Sequence, residues 1–126
     1  MGRQWRDGQG ELTVPGRAEG APADIPLVVP LEIAASFRAR TRGLLGRDGV
    51  EGAILLTPAA SVHTFRMRFA IDVAYLDREL TVLAVHTLPP GRLGAPRLRA
   101  RHVLESAAGT MAGWGVRPGV RLYVTA

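Results

Sequence analysis

Short apolar runs, each closed by glycine or proline, most limit the folds open to this chain. The 126 residues include 15 glycines and 9 prolines, which leaves little room for long helices. Runs rich in branched or aromatic residues, or alternating in polarity, are typical of β-strands when they lie between such breaks. The predicted strands are Leu27–Ala34, Ala53–Leu56, Val62–Phe69, Val73–Leu76, Leu80–Leu88, Arg101–Ser106 and Val120–Thr125.

Helices are few in this pattern and do not alternate regularly with the strands. Two short ones are predicted, at Ser36–Leu45 and at Ala107–Trp114. In the first helix Ser36 is the expected N-cap, and Phe37 and Leu44 lie on its apolar face. The predicted fold class is therefore mainly β (α+β), a small antiparallel β-barrel or sandwich with one or two short helices.

The N-terminal residues differ in composition from the rest of the chain. Residues 1–24 hold five glycines and two prolines, and we predict a Gly/Pro-rich arm there, partly ordered if Glu11–Val14 adds an edge strand. Residues 25–126 carry the dense apolar runs and are predicted to form a single β-rich domain.

Composition excludes several classes of protein. The chain has no cysteine, which rules out a disulfide scaffold, a thiolate metal site and a cysteine nucleophile. No run approaches the roughly 20 apolar residues that a membrane helix needs. The first residues also lack the apolar stretch of a secretory signal, so we expect a cytoplasmic location. All 16 basic residues are arginine and the net charge is +5. Arginines recur at every second position at 97, 99 and 101 and at 66 and 68, but no aromatic residues are interleaved with these stripes, which disfavours nucleic-acid binding.

An ordered set of short motifs resembles a known family. The motifs are TRGLLGR at 41–47, GAILL at 52–56, SVHTFRMRFAIDVAYLD at 61–77, HTLPPGRL at 86–93, RHVLESAAG at 101–109 and WGVRPG at 114–119. Together they resemble the domain of unknown function family 192, also called uncharacterised protein family 0127, over about Leu27–Val124. His-Thr-Phe at 63–65 in an arginine-rich chain resembles the actinobacterial-type branch. The resemblance implies a small β-rich domain with a helix after the first strand, and it implies no established reaction.

Polar and aromatic side chains concentrate around Ser61–Asp72, where we predict a polar cleft. Its predicted residues are His63, Phe65, Arg66, Arg68, Asp72 and Glu105. Glu105 lies in the apolar run HVLESA, and a carboxyl buried there must be paired or protonated. Arg42 or Arg66 could hold it with two parallel hydrogen bonds. The predicted function is that of an uncharacterised small β domain, non-catalytic, which binds a ligand or a partner through this cleft.

Two other functions stay open at this point, and with them the question of whether the chain is an enzyme. A histidine beside a carboxylate can act as a general base, so His63 and Asp72 could serve a small hydrolase-like enzyme. Some relatives in the family are encoded near pilus-assembly genes, which implies instead a pilus- or envelope-associated accessory protein that acts by contact.

Neither a cofactor nor a metal is predicted, and the catalytic residues, if any, are unknown. The three histidines, Asp72 and Glu105 lack the close spacing of a strong metal motif. The expected partner is a small molecule or a protein, and the expected state is a monomer or weak dimer with no membrane span.

Overall fold

A computed structural model describes residues 4–15 and 25–126 of the chain. Within these ranges the chain forms nine strands and two short helices. The strands are β1 (Gly8–Val14), β2 (Leu27–Ala34), β3 (Ala53–Leu56), β4 (Val62–His63), β5 (Ile71–Leu76), β6 (Val82–Leu88), β7 (Leu93–Gly94), β8 (His102–Ala107) and β9 (Tyr123–Thr125), and the helices are α1 (Phe37–Arg42) and α2 (Thr110–Trp114). The mainly β class with two short helices is confirmed, and β2 and β3 have the predicted bounds.

Seven strands form one sheet in the order β6-β5-β8-β3-β2-β1-β9. Neighbours in this sheet run antiparallel, except that β2 and β3 run parallel. The connection between β2 and β3 contains α1, and such a crossover is what lets consecutive strands keep the same direction. β4 and β7 form a separate two-stranded ribbon, in which Val62 lies opposite Gly94 and His63 opposite Leu93.

The sheet is open, so the barrel named as one predicted form is wrong and a sandwich-like α+β arrangement fits. β6 and β9 lie at its two ends and share no strand pairing in the part of the chain that the structure describes. The chain beside them does approach, because Thr81 forms an isolated bridge with Arg121 and the Val82 N–H donates to the Val120 carbonyl at 2.8 Å. β9 has three residues and pairs with β1, which leaves it too short to close the sheet.

Alternate residues of the strands face two separate cores, one on each side of the sheet. The α2-side core includes Leu12, Leu31, Leu55, Ala74, Leu104, Met111 and Leu122. The α1-side core includes Leu44, Ile54, Leu56, Val62, Met67, Val73 and Val103. All six residues of β5 are buried, which explains why its sequence is a nearly continuous apolar run.

Helix α1 is shorter than the sequence predicts. Ser36 caps its N-terminus as expected, but the helix ends at Gly43, whose φ of 45° lies in the left-handed region that favours glycine. Phe37 is 77% exposed, so its predicted place on an apolar face is wrong. Leu44 is buried in the α1-side core, where it lies just beyond the helix.

The predicted strand Val62–Phe69 is wrong beyond His63. β4 ends at His63 because the next residue, Thr64, forms its hydrogen bonds with the segment just before β7. The Thr64 N–H donates to the Arg92 carbonyl at 2.7 Å, and the Thr64 hydroxyl accepts from the Arg92 N–H at 2.8 Å. Arg66 then has a φ of 64°, a left-handed conformation that does not continue a strand.

Strand β1 lies within the stretch predicted as an arm. It pairs with β2 on one side and β9 on the other, so it lies inside the sheet and not at the predicted edge. The Asp7 carboxylate, just before it, accepts hydrogen bonds from the N–H groups of Ala35 and Ser36 at 2.6 and 2.8 Å. The Ser36 side chain and these two N–H groups lower the pKa of Asp7. The rest of the predicted arm, at 1–3 and 16–24, lies outside the described residues.

Candidate functional site

A pocket of about 260 Å³ opens on the α1 side of the sheet, between α1, the turn that follows it, the segment 58–63 and β8. Its buried lining residues are Gly43, Leu44, Leu56, Val62, Met67 and Glu105. Its exposed lining residues are Phe37, Thr41, Arg42, Pro58, Ala60, Ser61 and His63. The pocket therefore has an apolar interior that contains one carboxyl group, and its mouth is polar and aromatic.

Glu105 is placed in this pocket by the pairing of β8. It lies opposite Ile54 of β3 and opposite Val73 of β5, two residues of the α1-side core that are almost fully buried. Only 4% of the Glu105 surface is exposed. Burial among these apolar side chains raises the pKa of the carboxyl from its usual 4.5 to about 7, because removal from water disfavours the charged form.

No side chain pairs with Glu105 in the described part of the molecule. Two ion pairs are formed there, Arg47 with Glu32 and Arg68 with Asp48, and neither involves Glu105. The predicted pair of Glu105 with Arg42 or Arg66 is therefore not formed. Among the described residues, the Nε of Arg40 is a side-chain polar atom that is sealed from solvent and has no hydrogen bond. The carboxyl oxygens of Glu105 are not sealed in this way. The unpaired carboxyl oxygens of Glu105 are thus open to the pocket that this residue lines.

Arg40 forms part of the pocket wall from helix α1. One of its terminal nitrogens, Nη1, donates to the Pro58 carbonyl at 3.0 Å, which fixes the guanidinium across the gap between the helix and the segment 58–63. Its Nε is buried without a hydrogen-bond partner. Burial of a charged group's N–H without a partner is unfavourable, so Arg40 is the second polar group of this pocket with unsatisfied bonding capacity.

His63 lies at the mouth of the pocket and is exposed. Its ring stacks on that of Phe65, with centroids 5.3 Å apart and planes 20° from parallel. Phe65 is itself 47% exposed and does not line the pocket. The two predicted residues therefore form an aromatic rim, and His63 alone of the two contacts the pocket.

Arg66 and Arg68 lie on the surface outside the pocket lining. Arg68 is held by an ion pair with Asp48 at 2.9 Å. Arg66 occupies the left-handed position of the turn after β4. Neither of these two predicted cleft residues therefore lines the pocket beside α1.

Asp72 lies on the other face of the sheet. Its Oδ1 accepts a hydrogen bond from the Thr87 hydroxyl at 2.6 Å, and its Oδ2 accepts one from the Met111 N–H of α2 at 3.1 Å. Met111 belongs to the α2-side core, whereas His63 lines the pocket on the α1 side. The His63–Asp72 pair that the hydrolase-like alternative needs is therefore not formed, and the predicted place of Asp72 in the cleft is wrong.

Sequence reasoning missed the contribution of α1 to the pocket. Arg40, Leu44 and Leu56 line the pocket but were not among the predicted cleft residues. The sequence signal for this contribution was the arginine-rich helix followed by Gly43-Leu44. A helix that ends at Gly43 places the apolar Leu44 back against the sheet. That signal does not by itself say which sheet residues the helix will face.

Two findings concern sites that are absent from the described residues. No group of three or more His, Asp or Glu side chains there lies close enough to hold a metal ion. No helix within 4–15 and 25–126 is both long and apolar enough to cross a membrane.

Fold and pocket together define a small, mainly β domain with a single buried carboxyl in an apolar cavity beside a short helix. The chain belongs to the DUF192 family, described as "Uncharacterized ACR", which it matches over residues 21–124. Similar proteins are archaeal members named as UPF0127 proteins. One from Pyrococcus abyssi is 37% identical over 84 residues, 63% of this chain and 72% of its own length. One from Pyrococcus furiosus is 31% identical over 99 residues, 75% of this chain and 85% of its own length.

Two crystal structures share the fold. A protein of Sinorhizobium meliloti 1021, named as a candidate transcription regulator, has a TM-score of 0.77 at 18% identity, and the match covers 97% of this chain and 98% of that one. A protein of unknown function from Novosphingobium aromaticivorans has a TM-score of 0.74 at 20% identity, with 90% and 83% covered. These likenesses establish the fold, and the family to which the chain belongs is uncharacterised.

Proposed function

We propose that this chain is a non-catalytic ligand-binding domain and that its site is the pocket beside α1. The observation that carries the proposal is the Glu105 carboxyl, which is 4% exposed, unpaired and open to an apolar cavity. A buried carboxyl without a partner destabilises the folded chain, and polar groups left in this condition are typical of binding and catalytic sites.

Binding is favoured over catalysis because the reactive groups are dispersed. Asp72 is bonded to Thr87 and Met111 on the opposite face, so it cannot orient His63. Among the described residues no side chain donates a hydrogen bond to Glu105, which leaves it without the second group that acid–base chemistry usually requires. An apolar cavity with one or two polar groups is, by contrast, the usual form of a small-molecule site.

The test uses a pair of matched variants. Ala60 is exposed at the pocket mouth, so Ala60→Trp should block the pocket with little effect on the core, whereas Ala112 is exposed on α2 and serves as the control position for Ala112→Trp. Small amines, alcohols, amides and carboxylic acids are added singly to isotope-labelled protein, and NMR shifts are recorded.

We expect at least one compound to shift the amide signals of α1 and residues 58–63 and the carboxyl carbon of Glu105. The same shifts should persist in Ala112→Trp and disappear in Ala60→Trp. The proposal is overturned if no compound shifts these signals, or if Ala60→Trp responds like the wild type.

A protein partner is the second candidate, and exposed apolar side chains around the mouth favour it. Phe37, Phe65 and Leu93 are 77%, 47% and 70% exposed, and Phe65 and Leu93 both lie next to His63, by ring stacking and by strand pairing. A pilus- or envelope-associated role would use such a surface. The triple change of these residues to serine should then remove self-association or partner binding measured by light scattering, while leaving the fold intact by circular dichroism.

Three further assignments stay predictions. A cytoplasmic location and a monomeric or weakly dimeric state rest on the sequence. Membership of the actinobacterial-type branch rests on the His-Thr-Phe motif and the arginine content, and the curated relatives found are archaeal.

A further inference from the structure

We infer that the ligand of this pocket is a short amphoteric molecule, with an ammonium group that meets Glu105 and an acidic group that meets the arginines of α1. The inference rests on the proposed function and deepens it by naming the chemical class of the ligand. It follows from three kinds of residue that line the pocket, namely one buried carboxyl, four buried apolar side chains and two arginines of α1.

The buried end requires a hydrogen-bond donor that carries positive charge. Glu105 has no cation within ion-pair distance in the described structure, and burial alone accounts for the change in its pKa. A neutral donor would satisfy the hydrogen bonds but leave the buried carboxylate uncompensated. An ammonium group satisfies both, and charge-assisted hydrogen bonds are roughly twice as strong as neutral ones.

The apolar lining of the pocket requires methylene groups in the ligand. Leu44, Leu56, Val62 and Met67 line the pocket, and each is buried with at most 8% of its surface exposed. A polar ligand segment would lose its water there without finding a partner. A short alkyl segment instead gains the free energy of apolar burial.

The arginines that line the pocket require an acidic group in the ligand. Arg40 and Arg42 line the pocket, and neither belongs to the two ion pairs found among the described residues. Arg40 is positioned by the bond from its Nη1 to Pro58, so its other terminal nitrogen, Nη2, loses little freedom when it binds a carboxylate. A purely cationic ligand would be repelled by these arginines. A purely anionic ligand would be repelled by the Glu105 carboxylate.

The probes are 6-aminohexanoate, hexylamine and hexanoate, which share one alkyl chain and differ in their charged ends. Binding to the full chain is measured by calorimetry at pH 8 and by NMR. Because each truncated probe lacks one charge-assisted contact, we expect 6-aminohexanoate to bind at least about tenfold more tightly than either one. Glu105→Gln should remove the preference for 6-aminohexanoate over hexanoate.

Matched arginine variants test the mouth. Arg42 lines the pocket and Arg38, on the same helix and also exposed, does not. Arg42→Gln should weaken 6-aminohexanoate several-fold and should not weaken hexylamine, which loses a repelling charge, whereas Arg38→Gln should leave 6-aminohexanoate unchanged. Equal losses in the two variants would mean that only the general positive charge of the surface matters, which overturns the assignment of the acidic group.

Proton release on ligand binding is a readout that distinguishes a ligand-binding role of Glu105 from a purely structural one. At pH 6, an ammonium that pairs with Glu105 displaces its proton to the buffer, and the proton is measured from the binding heats in two buffers of different ionisation enthalpy. Arg40, Arg42 and His63 line the same pocket, and the Glu105 charge also influences Tyr75 on β5. His63→Gln is therefore the control, and it should retain the release that Glu105→Gln abolishes.

The outcomes separate this inference from the proposed function. If hexanoate binds more tightly than 6-aminohexanoate and shifts the Glu105 carboxyl signal, the pocket is a ligand site but the inferred ligand class is wrong. If none of the three probes shifts the pocket signals, the inference is overturned, and the broader compound set with Ala60→Trp decides whether the proposed function falls with it.

Discussion

Glu105 of β8 lies directly opposite Ile54 of β3, so a carboxyl group and a residue that is 1% exposed share one row of the central sheet. The row continues to Val73 of β5, which is also fully buried. A carboxyl in this setting has to be neutral or has to find a cation, and the described side chains supply none. The acid–base behaviour of Glu105 is therefore linked to the stability of the whole sheet.

Replacing Glu105 by glutamine should remove a pH dependence of stability. The raised pKa, from 4.5 to about 7, means that the folded chain retains a proton that the unfolded chain releases. The contribution of Glu105 is full below pH 4.5 and is lost as the pH rises to about 7, a total of roughly 3 kcal/mol. Urea unfolding at pH 5 and pH 8 measures the effect. The free energy of unfolding should fall more for the wild type than for Glu105→Gln, and equal changes would contradict the linkage.

His102, in the same strand, should have the opposite pH dependence. Its Nδ1 lies 2.7 Å from the Thr57 hydroxyl oxygen, its ring contacts the edge of Trp5, and burial lowers its pKa from the usual 6.5. The folded chain therefore resists protonation, so stability is full above pH 6.5 and is lost as the pH falls. His102→Gln should make stability below pH 6.5 less dependent on pH, as measured by thermal unfolding. The exposed His63→Gln is the control, and an identical acid response in all three proteins would refute the expectation.

Asp72 should act on stability and not on ligand binding. Asp72→Ala leaves the Thr87 hydroxyl and the Met111 N–H without this acceptor and removes one of the hydrogen bonds that hold α2 to the sheet. Loss of both bonds from a buried carboxylate should reduce the free energy of unfolding by about 2–4 kcal/mol. Thr87→Val removes one of the bonds and should reduce it by about 1 kcal/mol. Denaturant unfolding gives both values. A change in probe binding in a folded Asp72→Ala protein would contradict its place on the face opposite the pocket.

The strands were predictable where burial on both faces leaves a run of apolar residues. β3, in which all four residues are buried, has the predicted bounds for this reason. β2 also has the predicted bounds, although its burial alternates between buried and more exposed positions. The turn after β5 contains Asp77, whose carboxylate accepts from the N–H groups of Glu79 and Thr81. The strand predicted from the alternating segment at 62–69 is wrong beyond His63, because the chain turns at Thr64. Thr64 is fully buried and bonds to residues about 28 positions away, which a local pattern cannot reveal.

The candidate site was predictable only in part. An acid within HVLESA indicates burial, and Glu105 is buried as that context implies. His63 and Asp72, nine positions apart, face opposite sides because β4 ends at His63 and the chain turns before it enters β5. Arg40 and Arg42, which line the same pocket as Glu105, belong to α1. No spacing in the sequence shows how far α1 lies from β8.

The turn after β4 offers a test of backbone strain at Arg66. Its φ of 64° is unfavourable for a residue with a Cβ, whereas glycine adopts it readily. Relief of this strain is opposed by the greater freedom of glycine in the unfolded chain, so Arg66→Gly should raise the free energy of unfolding by at most about 1 kcal/mol. The matched control is Arg99→Gly, because Arg99 is also exposed but is not among the described non-glycine residues with positive φ. That variant should lose stability, since glycine only adds unfolded-state freedom there. Thermal unfolding of the two variants at one pH gives the comparison, and an equal loss in both would show that the turn holds no strain at Arg66.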